Sequence, residues 1–133
     1  MRNLNYSSRE ISNFFSKNRI AWDQFCPSER KLFESIKLSH DINVLDIGCG
    51  CGGLGLALNE RFNISSYTGI DSHSAAIEAG RRLNPSATLV CADILDVSDG
   101  AVSAGSFDLV CSLSCIDWNL QFSEMLSAAW RYV

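Results

Sequence analysis

Ten consecutive residues, Val44-Leu45-Asp46-Ile47-Gly48-Cys49-Gly50-Cys51-Gly52-Gly53, restrict what this chain can become. The first four are mostly aliphatic and read as a short buried strand. Glycines then alternate through a turn, and from Gly53 the residues take on a helical texture to about Phe62. A strand that turns through glycines into a helix is the first half of a βαβ unit. Such units assemble into parallel sheets covered by helices on both faces.

The same texture repeats downstream. Tyr67-Thr68-Gly69-Ile70-Asp71 predicts a second strand, after which Ser72 is positioned to cap a helix running to about Leu83, where Asn84-Pro85 ends it. Residues 88–92 predict a third strand and residues 107–112 a fourth, with a turn-rich stretch over 98–106 between them. Phe122, Met125, Leu126, Ala129 and Trp130 then fall at helical spacing, which predicts an amphipathic helix with that face buried. Upstream, Ser7-Ser8-Arg9-Glu10 reads as a capping box for a helix to about Asn18 carrying Ile11, Phe14 and Phe15. A second helix begins at Pro27, with Leu32, Phe33 and Ile36 as its buried stripe. The expected fold class is α/β, a Rossmann-like open parallel sheet over residues 41–133 preceded by a helical cap segment over 1–40.

Open sheets of this kind bind ligands outside the carboxyl ends of their strands. Asp46, Asp71 and Asp93 each end one of three successive predicted strands, so three carboxylates converge on that edge beside the glycine turn. Aspartate also suits turns for its own reasons. The spacing Gly48-x-Gly50-x-x-Gly53 satisfies a dinucleotide fingerprint as well, with Asp71 placed for a ribose.

Asp46-x-Gly48-x-Gly50-x-Gly52 resembles the first motif of class I S-adenosylmethionine-dependent methyltransferases. Two further features favour this family over the dinucleotide reading: the acidic residue two positions before the first glycine, and Cys91-Ala92-Asp93-Ile94 at the third strand. Phe107-Asp108-Leu109-Val110 is similar to the family's fourth-strand motif, and the resemblance spans about residues 43 to 131. It implies that the glycine turn approaches the amino-acid end of the cofactor and that Asp46 helps hold its ammonium group. It also implies that Asp71 accepts from the ribose hydroxyls and Asp93 from the adenine amino group, with Ile94 offering a backbone N–H to the ring. The candidate cofactor set is Asp46, Gly48, Cys49, Gly50, Gly52, Asp71, Ser72, Asp93, Ile94 and Ser112, the last from the 112–118 segment that would line the site beside the transferable methyl. S-adenosylhomocysteine would be the product.

Methyl transfer from a sulfonium is an in-line displacement, so positioning supplies much of the rate and a base is needed only for an acceptor that must lose a proton. Asp117 is the candidate base. The Asp/Asn-Pro-Pro-aromatic tetrapeptide of exocyclic base-amine methyltransferases is missing, and no proline precedes Cys115, which reads as an inert thiol rather than a nucleophile. His40 and His73 read as surface residues. Tyr6, Arg19 and Trp22 either cover the cofactor or pack among the N-terminal helices.

Charge excludes some partners. Residues 1–37 carry seven Lys/Arg and four Asp/Glu, whereas residues 38–133 carry four and eleven, for a net −4. An acidic chain is a poor generic ligand for nucleic acid, so a small-molecule acceptor is expected and no nucleic-acid partner. No apolar run approaches the roughly 20 residues that span a bilayer, and the first residues lack a signal peptide's apolar core; a cytoplasmic setting follows by default. Six cysteines without paired Cys-x2-Cys spacing are expected to be reduced thiols, with no metal site.

A nicotinamide-dependent oxidoreductase and a noncatalytic S-adenosylmethionine-binding domain are the alternatives. Four strands are visible where the resembling fold has seven in the order 3-2-1-4-5-7-6. The sheet is therefore expected to be C-terminally incomplete, with self-association through an exposed fourth strand.

Overall fold

The computed structural model describes residues 9–39, 41–98 and 100–133. The capping box at Ser7-Ser8, Tyr6 and His40 lie outside the described residues. Four parallel strands form one sheet in the order β3-β2-β1-β4: β1 Asn43–Ile47, β2 Ser66–Asp71, β3 Thr88–Cys91 and β4 Leu109–Cys111. Helix α3 (Gly53–Phe62) links β1 to β2, and α4 (Ser74–Leu83) links β2 to β3. Helices α1 (Arg9–Phe15) and α2 (Pro27–Ser35) precede the sheet, and α5 (Phe122–Trp130) follows it. This is the Rossmann-like α/β arrangement expected from the alternation of elements, with sequential crossovers running outward from β1 and the chain then returning to β1's other side.

Strand alternation divides the core into two layers. Val44 and Tyr67 project into one, packed with Leu54 and Leu58 of α3, Phe33 of α2, and Ile77 and Leu89. Leu45, Ile47 and Ile70 project into the other with Met125, Ala128 and Ala129 of α5 and Ile94, Val97 and Val102. The central strand is buried on both sides, which is why it reads as nearly continuous apolar sequence.

Several expected boundaries and faces are corrected. Helix α1 ends at Phe15, not Asn18: Lys17 and Asn18 both donate to the Phe14 carbonyl and Arg19 takes a left-handed φ of 65°. Its Phe14 and Phe15 are exposed and pack edge-to-face on each other, while the small Ser12 is buried against the sheet domain. In α2 only Phe33 of the expected stripe is buried, with Leu32 and Ile36 exposed, because a nine-residue helix meets the domain along one narrow side. Ser72 does not cap α4. Asp71 Oδ1 accepts the His73 N–H at 2.8 Å in the turn just before the helix, whose first turn has no side-chain cap. The fourth strand is shorter than expected because the Asp108 carboxylate, at 2.8 Å, accepts the Asn43 N–H at the strand's entrance.

Helix α5 forms where expected but is turned. Met125, Ala128 and Ala129 are buried, whereas Phe122, Leu126 and Trp130 are exposed. Small residues allow α5 to lie close on the sheet. The Phe122–Leu126 row projects beside β4, which among the described residues pairs only with β1.

Helix α3 sits close on β2 at one point. A Cβ on Gly55 would lie 2.6 Å from Cγ of the buried Tyr67 ring. Gly55→Ala should therefore destabilise the protein by about 1–3 kcal/mol through overpacking, despite the roughly 1 kcal/mol gained in helix propensity. Urea unfolding of the two proteins measures the difference, and an unchanged or higher midpoint would show that the ring yields freely.

Candidate cofactor site

The turn between β1 and α3 is fastened to β2. The N–H groups of Gly48 and Cys49 both donate to the Ile70 carbonyl, at 2.8 and 3.1 Å, and the Gly50 N–H donates to Asp71 Oδ2 at 2.8 Å. Gly48, Gly50 and Gly52 all have positive φ, the conformation that glycine adopts without penalty. Their surroundings differ. A Cβ on Gly48 would collide with the Cys115 side chain, and one on Gly53 with the Arg19 carbonyl. On Gly52 it would sit 3.2 Å from Leu89. On Gly50 it would meet nothing within 4 Å, so at this position the turn faces open space rather than the protein's own atoms.

The three carboxylates lie at the ends of β1, β2 and β3, but each is already engaged. Asp71 accepts from Gly50 through one oxygen and from His73, backbone and Nδ1, through the other. Asp93 Oδ1 accepts the Leu95 N–H at 2.9 Å, closing a local turn, and the Ile94 side chain is buried in the second core layer. Asp46 is only 4% exposed and accepts the Tyr67 phenol proton at 2.6 Å. Burial, helped by the negative charge of Asp71, pushes its carboxyl up to about 6 from an ordinary 3.8, against the pull of Tyr67, Arg19 and Cys111.

Other candidates are distributed more widely. The Cys49 side chain turns inward against Gly69, so only its backbone borders the turn. Ser72 is exposed. Ser112 receives a long hydrogen bond from the Ile116 N–H and lines, with Asp117, Ile47 and Glu29, a cleft of about 480 Å³ between β4 and α5. Asp117 itself is exposed on the short 3₁₀ turn Ile116–Trp118. Burial raises the Cys115 thiol to about 11, so at neutral pH it is not a thiolate. His73 is half-buried rather than fully at the surface: Nδ1 pairs with Asp71, and Nε2 is buried with no partner among the described residues. Arg19 makes a two-pronged ion pair with Glu29 and stacks on Phe25, and Trp22 packs on Phe33 and Phe62.

Sequence reasoning missed Tyr67. No sequence motif marks it; the strand register does, since Asp46 stands opposite Gly69 and Tyr67, two residues earlier, shares the same face of the sheet. A polar ring two positions before a glycine on that face can reach the carboxylate across the strands.

Residues 44–133 match the model of a methyltransferase domain. The chain belongs to this methyltransferase family. It is 31% identical over 91 residues to a trans-aconitate 2-methyltransferase of Deinococcus radiodurans, covering 68% of this chain and 33% of that protein. With a malonyl-[acyl-carrier protein] O-methyltransferase of Geobacter sulfurreducens it shares 27% identity, covering 92% of this chain and 48% of the relative. The chain thus spans less than half the length of either of these methyltransferases. Its fold also matches Haemonchus contortus phosphoethanolamine N-methyltransferase 2 in complex with S-adenosyl-L-methionine, at a TM-score of 0.71 and 21% identity over 92% of this chain and 29% of that one. No helix among the described residues is long and apolar enough to cross a membrane.

The buried methyltransferase carboxylate Asp46 has a measurable cost. The folded protein holds its proton up to about pH 6 and the unfolded chain only to about 3.8, so the protonated form favours folding. That contribution is complete below the lower value and is lost as pH rises through the upper one. Asp46→Asn should therefore stabilise the ligand-free protein at pH 8 by on the order of 2–3 kcal/mol, with the gain vanishing near pH 4. Urea titrations at the two pH values measure it. Equal stability at pH 8 would mean that Arg19 and Tyr67 fully compensate the ionised group.

Proposed function

We propose that this chain holds S-adenosylmethionine at the carboxyl ends of β1, β2 and β3 and takes part in transferring its methyl group to a small-molecule acceptor. The observation that carries the reading is the open space at Gly50, directly beside the Asp71 carboxylate, within a chain of the methyltransferase family. Gly105 is equally open in an ordinary surface turn, so it is the position of Gly50 against Asp71 at the strand ends that supports the reading. The donor set also fits the chemistry: carboxylates suit a ribose diol, an exocyclic amine and an ammonium group. The longer relatives that match are methyltransferases, and the neighbour from Haemonchus contortus was solved with S-adenosyl-L-methionine.

In this reading Gly50 lets the backbone approach the amino-acid end of the ligand, and Asp71 exchanges its contacts with the turn for the ribose hydroxyls. Gly48, Cys49 and Gly52 contribute the main chain of the turn. Asp93 and Ile94 border the adenine, Ser72 stands after Asp71 beside the ribose, and Ser112 borders the reacting end. When bound, the cofactor supplies an electrophilic methyl on a sulfonium. Asp117, in the cleft with Ser112, is the group available to accept a proton from the acceptor. A cytoplasmic setting belongs to the same reading, supported by six free cysteines.

The sheet is incomplete in this reading, with residues 41–133 forming the cofactor-binding part behind a helical segment over 1–40. Exposed Phe122 and Leu126 beside the edge strand β4, with exposed Trp130 further along α5, support it, as contiguous exposed apolar surface favours association. Light scattering across a concentration series should show the 133-residue chain self-associating, and Leu126→Lys should reduce that association; a strictly monomeric chain would refute it.

Asp71→Ala should weaken S-adenosylmethionine binding by on the order of 1.5–3 kcal/mol per lost hydrogen bond, and more than His73→Ala does. Gly50→Val should abolish binding without a steric clash inside the protein, at a backbone cost of about 1–2 kcal/mol. Calorimetry on the three variants, with circular dichroism as the folding control, tests both. Equal affinities for the Asp71 and His73 variants, or normal binding by Gly50→Val, would reject the assignment.

A further inference from the structure

Asp46 stands on β1 with its carboxylate inside the protein, yet a cofactor's ammonium group needs that carboxylate ionised and held in one orientation. The Tyr67 phenol is the one strong donor that reaches it among the described residues: O–H to Oδ2, 2.6 Å, both side chains buried. The other oxygen, Oδ1, has the weak Cys111 thiol at 3.9 Å. Tyr67 cannot easily turn away. Its ring lies under Gly55 of α3, where a Cβ would come within 2.6 Å, and its Cε1 is 3.5 Å from the same position on Gly52 in the cofactor turn. The glycines that make the turn therefore also seat the ring whose hydroxyl meets the acidic residue of the motif.

We propose that Tyr67 is a positioning residue, whose hydroxyl fixes Asp46 through Oδ2 and keeps it an ionised acceptor for the ammonium group of the cofactor. This rests on the S-adenosylmethionine reading above. The groups that bear on Asp46 come from every side: Tyr67 and Asp71 of β2, Arg19 of the segment before α2, Cys111 of β4 and Cys49 of the turn. Asp71 and burial favour its neutral form, whereas Tyr67, Arg19 and Cys111 favour the charged one. Tyr67 is the strongest of the three. The phenol keeps its own proton, since burial and Asp46 raise it well above its ordinary range, so it donates at every pH of interest.

Tyr67→Phe keeps the ring in its seat and removes only the hydroxyl. In the ligand-free protein, the pH midpoint of the Asp46 side-chain carboxyl, followed by carbon NMR, should move upward by about one pH unit. Calorimetry with S-adenosylhomocysteine should then find the variant about fivefold weaker than the parent at pH 6, with the gap closing toward pH 8. A loss of packing would instead weaken binding by one factor at all pH values. An unmoved Asp46 midpoint, or a pH-independent loss, overturns the proposal. A parent protein that ignores the ligand at every pH, with Asp71→Ala indistinguishable from it, overturns the cofactor reading, and the ammonium role falls with it even if the midpoint moves.

Discussion

The carboxylate of Asp71 accepts the Gly50 N–H through one oxygen and the His73 N–H through the other. It thereby joins the turn after β1 to the entry of α4. Together with the Ile70 carbonyl, which takes the Gly48 and Cys49 N–H groups, it satisfies a stretch of backbone that has left the sheet and not yet entered a helix. Gly80 of α4 then comes close to the turn, where a Cβ would lie 2.6 Å from the Cys51 carbonyl. With the Ile70 bonds, this side chain helps set the shape of the turn and its approach to α4. A ligand that competes for the same carboxylate must replace those bonds, which links binding to the order of the turn.

Most of the fold was legible because a parallel sheet advertises itself. Val44, Leu45 and Ile47 have no polar face because β1 is covered twice, and the helix after β2 carried its own stop signal in Asn84-Pro85. Helix faces were harder. Leu32, Ile36, Phe122, Leu126 and Trp130 satisfy helical periodicity, but periodicity states only which residues share a stripe. Which stripe faces the sheet depends on how closely the helix must approach, and both α1 and α5 present small residues, Ser12 and Ala128-Ala129. The candidate site was legible as glycines and carboxylates at strand ends. Its internal wiring was not, because Tyr67 meets Asp46 only through strand register and the Gly55 contact, neither of which leaves a motif in the sequence.

In the proposed function, ligand binding and stability oppose each other at Asp46. An ionised carboxylate inside the protein is held there by a phenol, a thiol and the field of Arg19, against burial and the neighbouring Asp71 charge. Packing alone does not call for a charge at that position, since an amide would accept the same phenol proton at lower cost. The surrounding thiols point the same way: Cys49, Cys111 and Cys115 all titrate upward through burial first and the nearby aspartates second. They behave as small apolar residues around a negative centre, and they leave the carboxylates as the groups that can meet a cation.

In the proposed function the opening at Gly50 beside Asp71 admits an adenosyl amino acid. Native mass spectrometry of the protein purified without added ligand tests it most directly. The expected result is a bound species with the mass of S-adenosylmethionine or S-adenosylhomocysteine, absent from Gly50→Val. A bound dinucleotide, or an adenosyl species retained equally by that variant, would contradict it.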